Sequence, residues 1–234
     1  PRAHAARVPV LGAGEGVPTG VGLGGGPGSG PVGVKEALLP YLPTPAVVKG
    51  EDGFYLDFDR PETIGKVSTF YGNFGMVIRA FVYAKMLGAE GMRRTSEMAV
   101  LNANYIAKQL DPYYDRPKQA QPMHEMVLSA SRQKREHGVN AMDIGKRLID
   151  YGHHPPTVYF PLPSVASEAM LIEPTETESL EQLDEFIEVM IRISQEASEQ
   201  PELLHEAPHD TPVRRLDEAT AARKPVLRWK KGEA

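Results

Sequence analysis

At 234 residues the chain has room for one sizeable domain, or one domain with tails. A net charge of −5 with 24% charged residues gives no broad basic face and argues against binding nucleic acid through its phosphates. The absence of cysteine excludes disulfides, thiolate metal sites and cysteine nucleophiles, and fits a reducing cytoplasm. No apolar stretch approaches the roughly 20 residues a membrane helix needs, and the segment around Arg2 and Arg7 lacks the apolar run of a secretory signal.

Residues 1–23 are rich in Gly, Pro and Ala without helix or strand period, which predicts a disordered segment. A run with almost no side chains follows, from Gly24 to Pro31. Lys35 to Leu42 predicts a short helix or turn stopped by Pro40 and Pro43. Val47-Val48 and Phe54-Tyr55-Leu56 predict two strands about a turn at Glu51-Asp52-Gly53. Gly72 to Leu87 is apolar on nearly every side and predicts a helix that seeks cover; Gly88 to Gly91 breaks it, and a second helix runs to Leu110.

Beyond Pro117 the pattern changes. Met123 to Leu128 predicts a strand, and Asn140 predicts the cap of a helix over 141–151 ended by Gly152. Thr157 to Phe160 and Ala169 to Ile172 predict two more strands. Thr175 and Glu178 have the spacing of a capping box, before a helix with Leu180, Leu183, Phe186, Ile187, Met190 and Ile191 on one face. Strand, helix, strand, strand, helix predicts a small α+β unit. Residues 199–234, proline-rich and charged, predict an extended tail.

Four stretches invite a chemical reading. Backbone N–H groups of Gly24, Gly25, Gly26, Gly28, Ser29 and Gly30 can face an anion, although no Gly-Lys-Ser/Thr follows and a flexible linker explains the same run. Tyr71 and Asn73 open the apolar helix, where free N–H groups can meet a ligand or Asn73 simply caps. His154 and Thr157 sit in a His-His-Pro-Pro-Thr turn. Adjacent histidines with no carboxylate at helical spacing predict no metal, so a hydrogen bond to substrate or backbone is expected of them. His124 and Glu125 would face opposite sides of a strand and form no dyad. Glu173 to Glu176 serve a rigid turn and a helix start, and extra carboxylates also suit that positive end.

The order of these stretches resembles one family. The run Gly24 to Val34, Ser68 to Phe74, Leu101-Asn102-Ala103-Asn104-Tyr105, Met123-His124-Glu125, Asp150 to Pro161, Leu171 to Glu178 and Ala207 to Glu218 are similar, in sequence order, to the C-terminal part of the glycine decarboxylase P-protein, bacterial subunit 2, over about residues 24–230. The resemblance implies a fold-type-I pyridoxal-phosphate (PLP) transferase, α/β with an α+β C-terminal domain and an incomplete large domain. It implies 1–23 outside the family, 24–70 as glycine-rich loop and end of the large domain, 71–122 as connecting helices, 123–198 as the small domain and 199–234 as the tail. It further implies PLP as cofactor, glycine as substrate, the lipoyl arm of the H-protein as acceptor of the aminomethyl group, subunit 1 as partner, an oligomer, and a cytoplasmic setting. In that family a lysine several residues before the glycine loop holds PLP as a Schiff base. Here Val17 to Leu23 stand in that place, the first lysine is Lys35, and no catalytic residue is assigned. A non-catalytic, partner-binding module derived from the same fold is the other reading.

Overall fold

The structure, a computed structural model, describes residues 32–117, 121–228 and 231–232. The expected disorder of 1–23 and the glycine run Gly24 to Gly30 lie outside these residues. The chain divides into two compact units, one ending at Met92 and the other beginning at Arg93. That division falls inside the 71–122 stretch expected to form connecting helices.

In the first unit a 3-10 turn, Glu36–Tyr41, leads into an antiparallel hairpin of β1 (Ala46–Gly50) and β2 (Gly53–Asp57), with Val48 opposite Tyr55. Both strands are where their β-branched and aromatic residues predict them. The loop after β2 folds back on the chain before β1. Arg60 Nη2 donates to the Leu39 carbonyl (2.7 Å), Ile64 N–H to that of Tyr41 (3.2 Å), and Thr63 Oγ1 to that of Leu42 (2.5 Å). Leu42, Pro43, Pro45 and Ala46 are buried beneath it. The hairpin turns Phe54, Tyr55 and Leu56 to solvent, 71%, 54% and 41% exposed.

The helical stretch α1 (Phe74–Leu110) is interrupted at Gly88, whose φ of 62° and ψ of −175° lie in a region that only glycine adopts without strain. The break falls where the glycines predict it. Before it, Phe74, Ile78, Phe81, Val82 and Met86 are exposed on the first unit. These are the apolar side chains expected to seek a partner.

The second unit is built on a three-stranded antiparallel sheet in the order β3 (Met126–Ser129), β5 (Ala169–Ile172), β4 (Thr157–Val158). Its core joins Ile106 and Leu110 of α1, Leu128 and Met170 of the sheet, Ile144 and Leu148 of α3 (Ala141–Asp150), and Met190 and Ile193 of α4 (Leu180–Glu199). Tyr114, 1% exposed, donates its hydroxyl proton to the Met190 carbonyl (2.8 Å); burial pushes its own titration well up. Along α4 the buried residues Leu183, Ile187, Met190, Ile193 and Ala197 recur at steps of three and four, the stripe an amphipathic helix needs.

Local capping follows chemistry with one displacement. Asn140 Oδ1 accepts from Asp143 N–H (3.0 Å) and Asp143 Oδ2 accepts from Asn140 N–H (2.9 Å), a reciprocal box at the start of α3. Gly152, at φ 79°, follows its end as predicted. For α4 the box is formed by Ser179 and Gln182, not by Thr175 and Glu178. The same spacing occurs twice in succession there. Thr175 instead gives its carbonyl to Asn102 Nδ2 (2.9 Å) and pairs its hydroxyl with Thr177.

Three further expectations are corrected. The strand expected from Met123 begins at Met126, so His124 and Glu125 precede it; His124 is exposed with Nε2 4.0 Å from Glu173 Oε1. A helix, α2 (Ser131–His137), follows β3 without having been foreseen. Within the stretch expected to be an extended tail, α5 (Pro201–His205) and α6 (Glu218–Arg223) are helical, and Leu204 is completely buried in the main core.

Candidate functional site

In the second unit the chemistry-bearing side chains gather around α3. Arg147, on its last turn, grips Glu196 of α4 with both arms of its fork, Nε to Oε2 at 2.9 Å and Nη2 to Oε1 at 3.0 Å, and reaches Asp150 Oδ2 with Nη1 at 3.0 Å. Tyr151 donates its hydroxyl to Glu196 while its ring lies 4.7 Å beneath the guanidinium. Asp150 Oδ1 in turn accepts the backbone N–H groups of His209 (2.5 Å) and Asp210 (3.1 Å). Burial raises the Asp150 and Glu196 carboxyls, but the hydrogen bonds outweigh it: from Asp210, His209 and Arg147 to Asp150, and from Arg147 and Tyr151 to Glu196. Both titrate below the ordinary carboxylate range.

A second clasp sits at the other end of α3. Asp143, 1% exposed, accepts from Arg215 Nη1 at 2.7 Å, and His205 Nδ1 lies 3.4 Å from its other oxygen. Arg215 also donates from Nε to the Ala207 carbonyl (3.1 Å) and from Nη2 to that of Leu204 (3.2 Å), so one side chain ties the turn after α5 to α3. On the third side, the buried carboxylate of Glu168 pairs with Lys134 and accepts Ala141 N–H at 3.1 Å. Glu168 and Tyr159 both have left-handed backbones, φ 49° and 61°, at the ends of the β4–β5 loop. Burial, then the Glu168 charge, raises the Tyr159 phenol. The loop between them exposes Phe160, Leu162 and Val165.

The residues singled out from sequence fall differently. Tyr71 is exposed, edge-on to Phe70 with centroids 4.7 Å apart and with Lys66 Nζ 5.3 Å from its ring. Asn73 acts through its carbonyl, which accepts from Met76 and Val77 N–H at the start of α1. Both belong to the first unit. His154 and Thr157 belong to the second and are exposed, Thr157 opposite Leu171 in the sheet. The histidine of that turn with an inward role is His153, edge-on to Phe186 at 5.6 Å, with a buried Nε2 that has no partner among the described residues. Gly24, Gly25, Gly26, Gly28, Ser29 and Gly30 lie outside the described residues. Sequence reasoning missed Arg147, Glu196, Asp143, Arg215 and Glu168, because each pair is joined across at least 27 residues of chain. Among the described residues no three His, Asp or Glu side chains converge as metal ligands, and no helix is long and apolar enough to cross a membrane.

Comparison with known proteins bears on the family and the fold. Residues 95–213 match the family model described as the glycine dehydrogenase C-terminal domain. A probable glycine dehydrogenase (decarboxylating) subunit 2 from Halalkalibacterium halodurans is 58% identical over 213 residues, 91% of this chain and 43% of the relative. The Shouchella clausii protein of the same description is 56% identical over 211 residues, 90% of this chain and 42% of its own length. The chain thus spans less than half the length of these curated relatives. Among solved structures, an inhibitor-bound glycine decarboxylase (P-protein) of the glycine cleavage system superposes with a TM-score of 0.59 at 21% identity, over 75% of this chain and 41% of that one. An apo cysteine desulfurase from Thermococcus onnurineus NA1 gives 0.50 at 14%, over 70% and 42%. At those identities the two structures speak for the mixed helix-and-sheet fold alone. The family model and the high identity along nine-tenths of the chain go further: the chain belongs to the glycine dehydrogenase (decarboxylating) family, as a C-terminal portion of its subunit 2.

Proposed function

We propose that the chain is the partner-contacting, site-covering portion of a PLP-dependent glycine decarboxylase of fold type I, joining the end of the large domain (24–70), the connecting helices (71–122), the small domain (123–198) and the C-terminal segment (199–234). Glycine is then the substrate, the lipoylated H-protein takes the aminomethyl group, subunit 1 is the partner, the assembly is an oligomer, and the compartment is the cytoplasm. PLP, when bound, takes up the electron pair left as carbon dioxide departs. Tyr71, Asn73, His154 and Thr157 remain our candidates for contacts to substrate or cofactor.

The 58% identity to a subunit 2 protein along 213 residues carries this reading. The place where the family keeps its PLP lysine holds Val17-Pro18-Thr19-Gly20-Val21-Gly22-Leu23, which does not fit a covalently held cofactor. On this reading the chain has no activity alone. That same stretch favours the second reading, a non-catalytic module that binds a subunit 1-like protein.

Both readings expect the exposed Phe74, Ile78, Phe81, Val82 and Met86 to be covered by protein, because exposed apolar patches of this kind mark interfaces. Light scattering on the isolated chain and on its mixture with subunit 1 tests this. The expected result is self-association or poor solubility alone and a defined complex with subunit 1. A stable monomer that binds little hydrophobic dye and ignores subunit 1 would contradict both readings.

A further inference from the structure

The first unit has almost no core of its own. Among its described residues only Leu42, Pro43, Pro45 and Ala46 are buried, whereas the hydrophobic cluster of the second unit starts at Ile106 and runs to Leu204. A sheet must bury a face against another layer, and a hairpin of two strands is marginal without one. Among the described residues β1 and β2 pair only with each other. Their register decides which face is bare. Val47 stands opposite Leu56 and Lys49 opposite Phe54, so these four share one side of the hairpin, and all four are exposed. On the other side Ala46 is buried and Val48 half-buried. The bare side therefore carries three large apolar side chains and one cation, a face suited to cover by protein.

Two observations identify the cover. The matched stretch is 43% of the Halalkalibacterium halodurans relative and a C-terminal portion of it, so more than half of that protein precedes what is matched here. Successive elements of a chain usually pack side by side, and the hairpin, over 46–57, stands at the near end of the match. We propose that the face formed by Val47, Lys49, Phe54 and Leu56 is the docking surface for the N-terminal portion of a glycine dehydrogenase subunit 2, and that the two associate as separate polypeptides. The partner surface is apolar with an acceptor for Lys49, because a covered ammonium needs one. The inference rests on the reading of this chain as a working part of subunit 2 and not on the binding of subunit 1.

Co-expressing the full chain with a tagged polypeptide made of the part of the Halalkalibacterium halodurans protein that precedes the match, and following amide hydrogen exchange of residues 46–57 by mass spectrometry, tests it. Co-purification is expected, with exchange over 46–57 slowed at least ~10-fold relative to the chain alone. Phe54→Asp, at an exposed position, is expected to leave the urea midpoint of the second unit unchanged and to weaken the association at least ~10-fold. Subunit 1 in place of the N-terminal portion is expected to leave 46–57 exchanging as in the chain alone. A chain that takes up the N-terminal portion but ignores subunit 1 would sustain this inference and tell against the functional reading alone. No co-purification, association undiminished in Phe54→Asp, or protection of 46–57 by subunit 1 or by a second copy of the chain would each overturn the inference.

Discussion

Replacing Arg147 by alanine is expected to destabilise the second unit by about 3–5 kcal/mol, the usual cost of removing one member of a buried charge cluster. Arg147 is 13% exposed, and its partners Glu196 and Asp150 are 16% and 2% exposed. Alanine leaves two half-buried or buried carboxylates with less than their full set of donors, which costs far more than the pair itself contributes. Lysine keeps the charge but loses the two-armed grip, so Arg147→Lys should fall between wild type and alanine. The acid response should change with it. Both carboxyls have folded-state values below their unfolded ones. Their stabilisation is therefore complete above the unfolded value of about 4 and is lost as pH falls through the lower folded values. Urea unfolding between neutral and strongly acidic pH should show this loss in wild type and a flatter profile in Arg147→Ala. Equal profiles would place the stability of the α3–α4 contact elsewhere.

Replacing Leu204 by alanine is expected to cost about 2–5 kcal/mol, the range for emptying a fully buried leucine site. Leu204 has no exposed surface and lies in the same cluster as Leu148 and Met190. It sits in a segment whose composition suggests an unpacked tail, so its substitution measures whether 201–208 belongs to the core. The clasp from Arg215 to Asp143 and to the Leu204 and Ala207 carbonyls holds the segment in place and limits how far the gap can collapse. A lower urea midpoint with an unchanged slope is the expected signature. A shift below ~0.5 kcal/mol, the scale of surface substitutions, would mean that α5 is an appendage.

What was legible in the sequence was local. Asn140 with Asp143, Gly152 and Gly88 each act within a turn or two, and the apolar run Ala169 to Ile172 is a strand of just those residues. The α4 stripe was legible in part for the same reason: Leu183, Ile187 and Met190 are buried as expected, whereas Leu180 is exposed and the stripe continues through Ile193 and Ala197. The α2 segment, Ser-Arg-Gln-Lys-Arg-Glu-His, buries Gln133 and no apolar side chain, so it carries no hydrophobic period to find. Pro201 reads as a stop, yet it occupies the first turn of α5, where its missing N–H costs nothing. Arg147 with Glu196 and Asp143 with Arg215 are 49 and 72 residues apart, and nothing in either neighbourhood announces the other. Tyr71, Asn73, His154 and Thr157 are exposed at turns and element starts, whereas the half-buried and buried charged groups sit within the second unit. His154 was chosen where its neighbour His153 packs on Phe186.

On the proposed reading, this chain carries a subunit 2 fold without the lysine that would fix its cofactor. The direct measurement is to add PLP to the purified chain, reduce with borohydride, digest and map the labelled peptides. Lys35, the first lysine, lies after the glycine run rather than before it. The expected result is scattered, substoichiometric labelling of surface lysines. Stoichiometric labelling of one specific lysine would contradict it, and would show that the chain holds the cofactor covalently by itself.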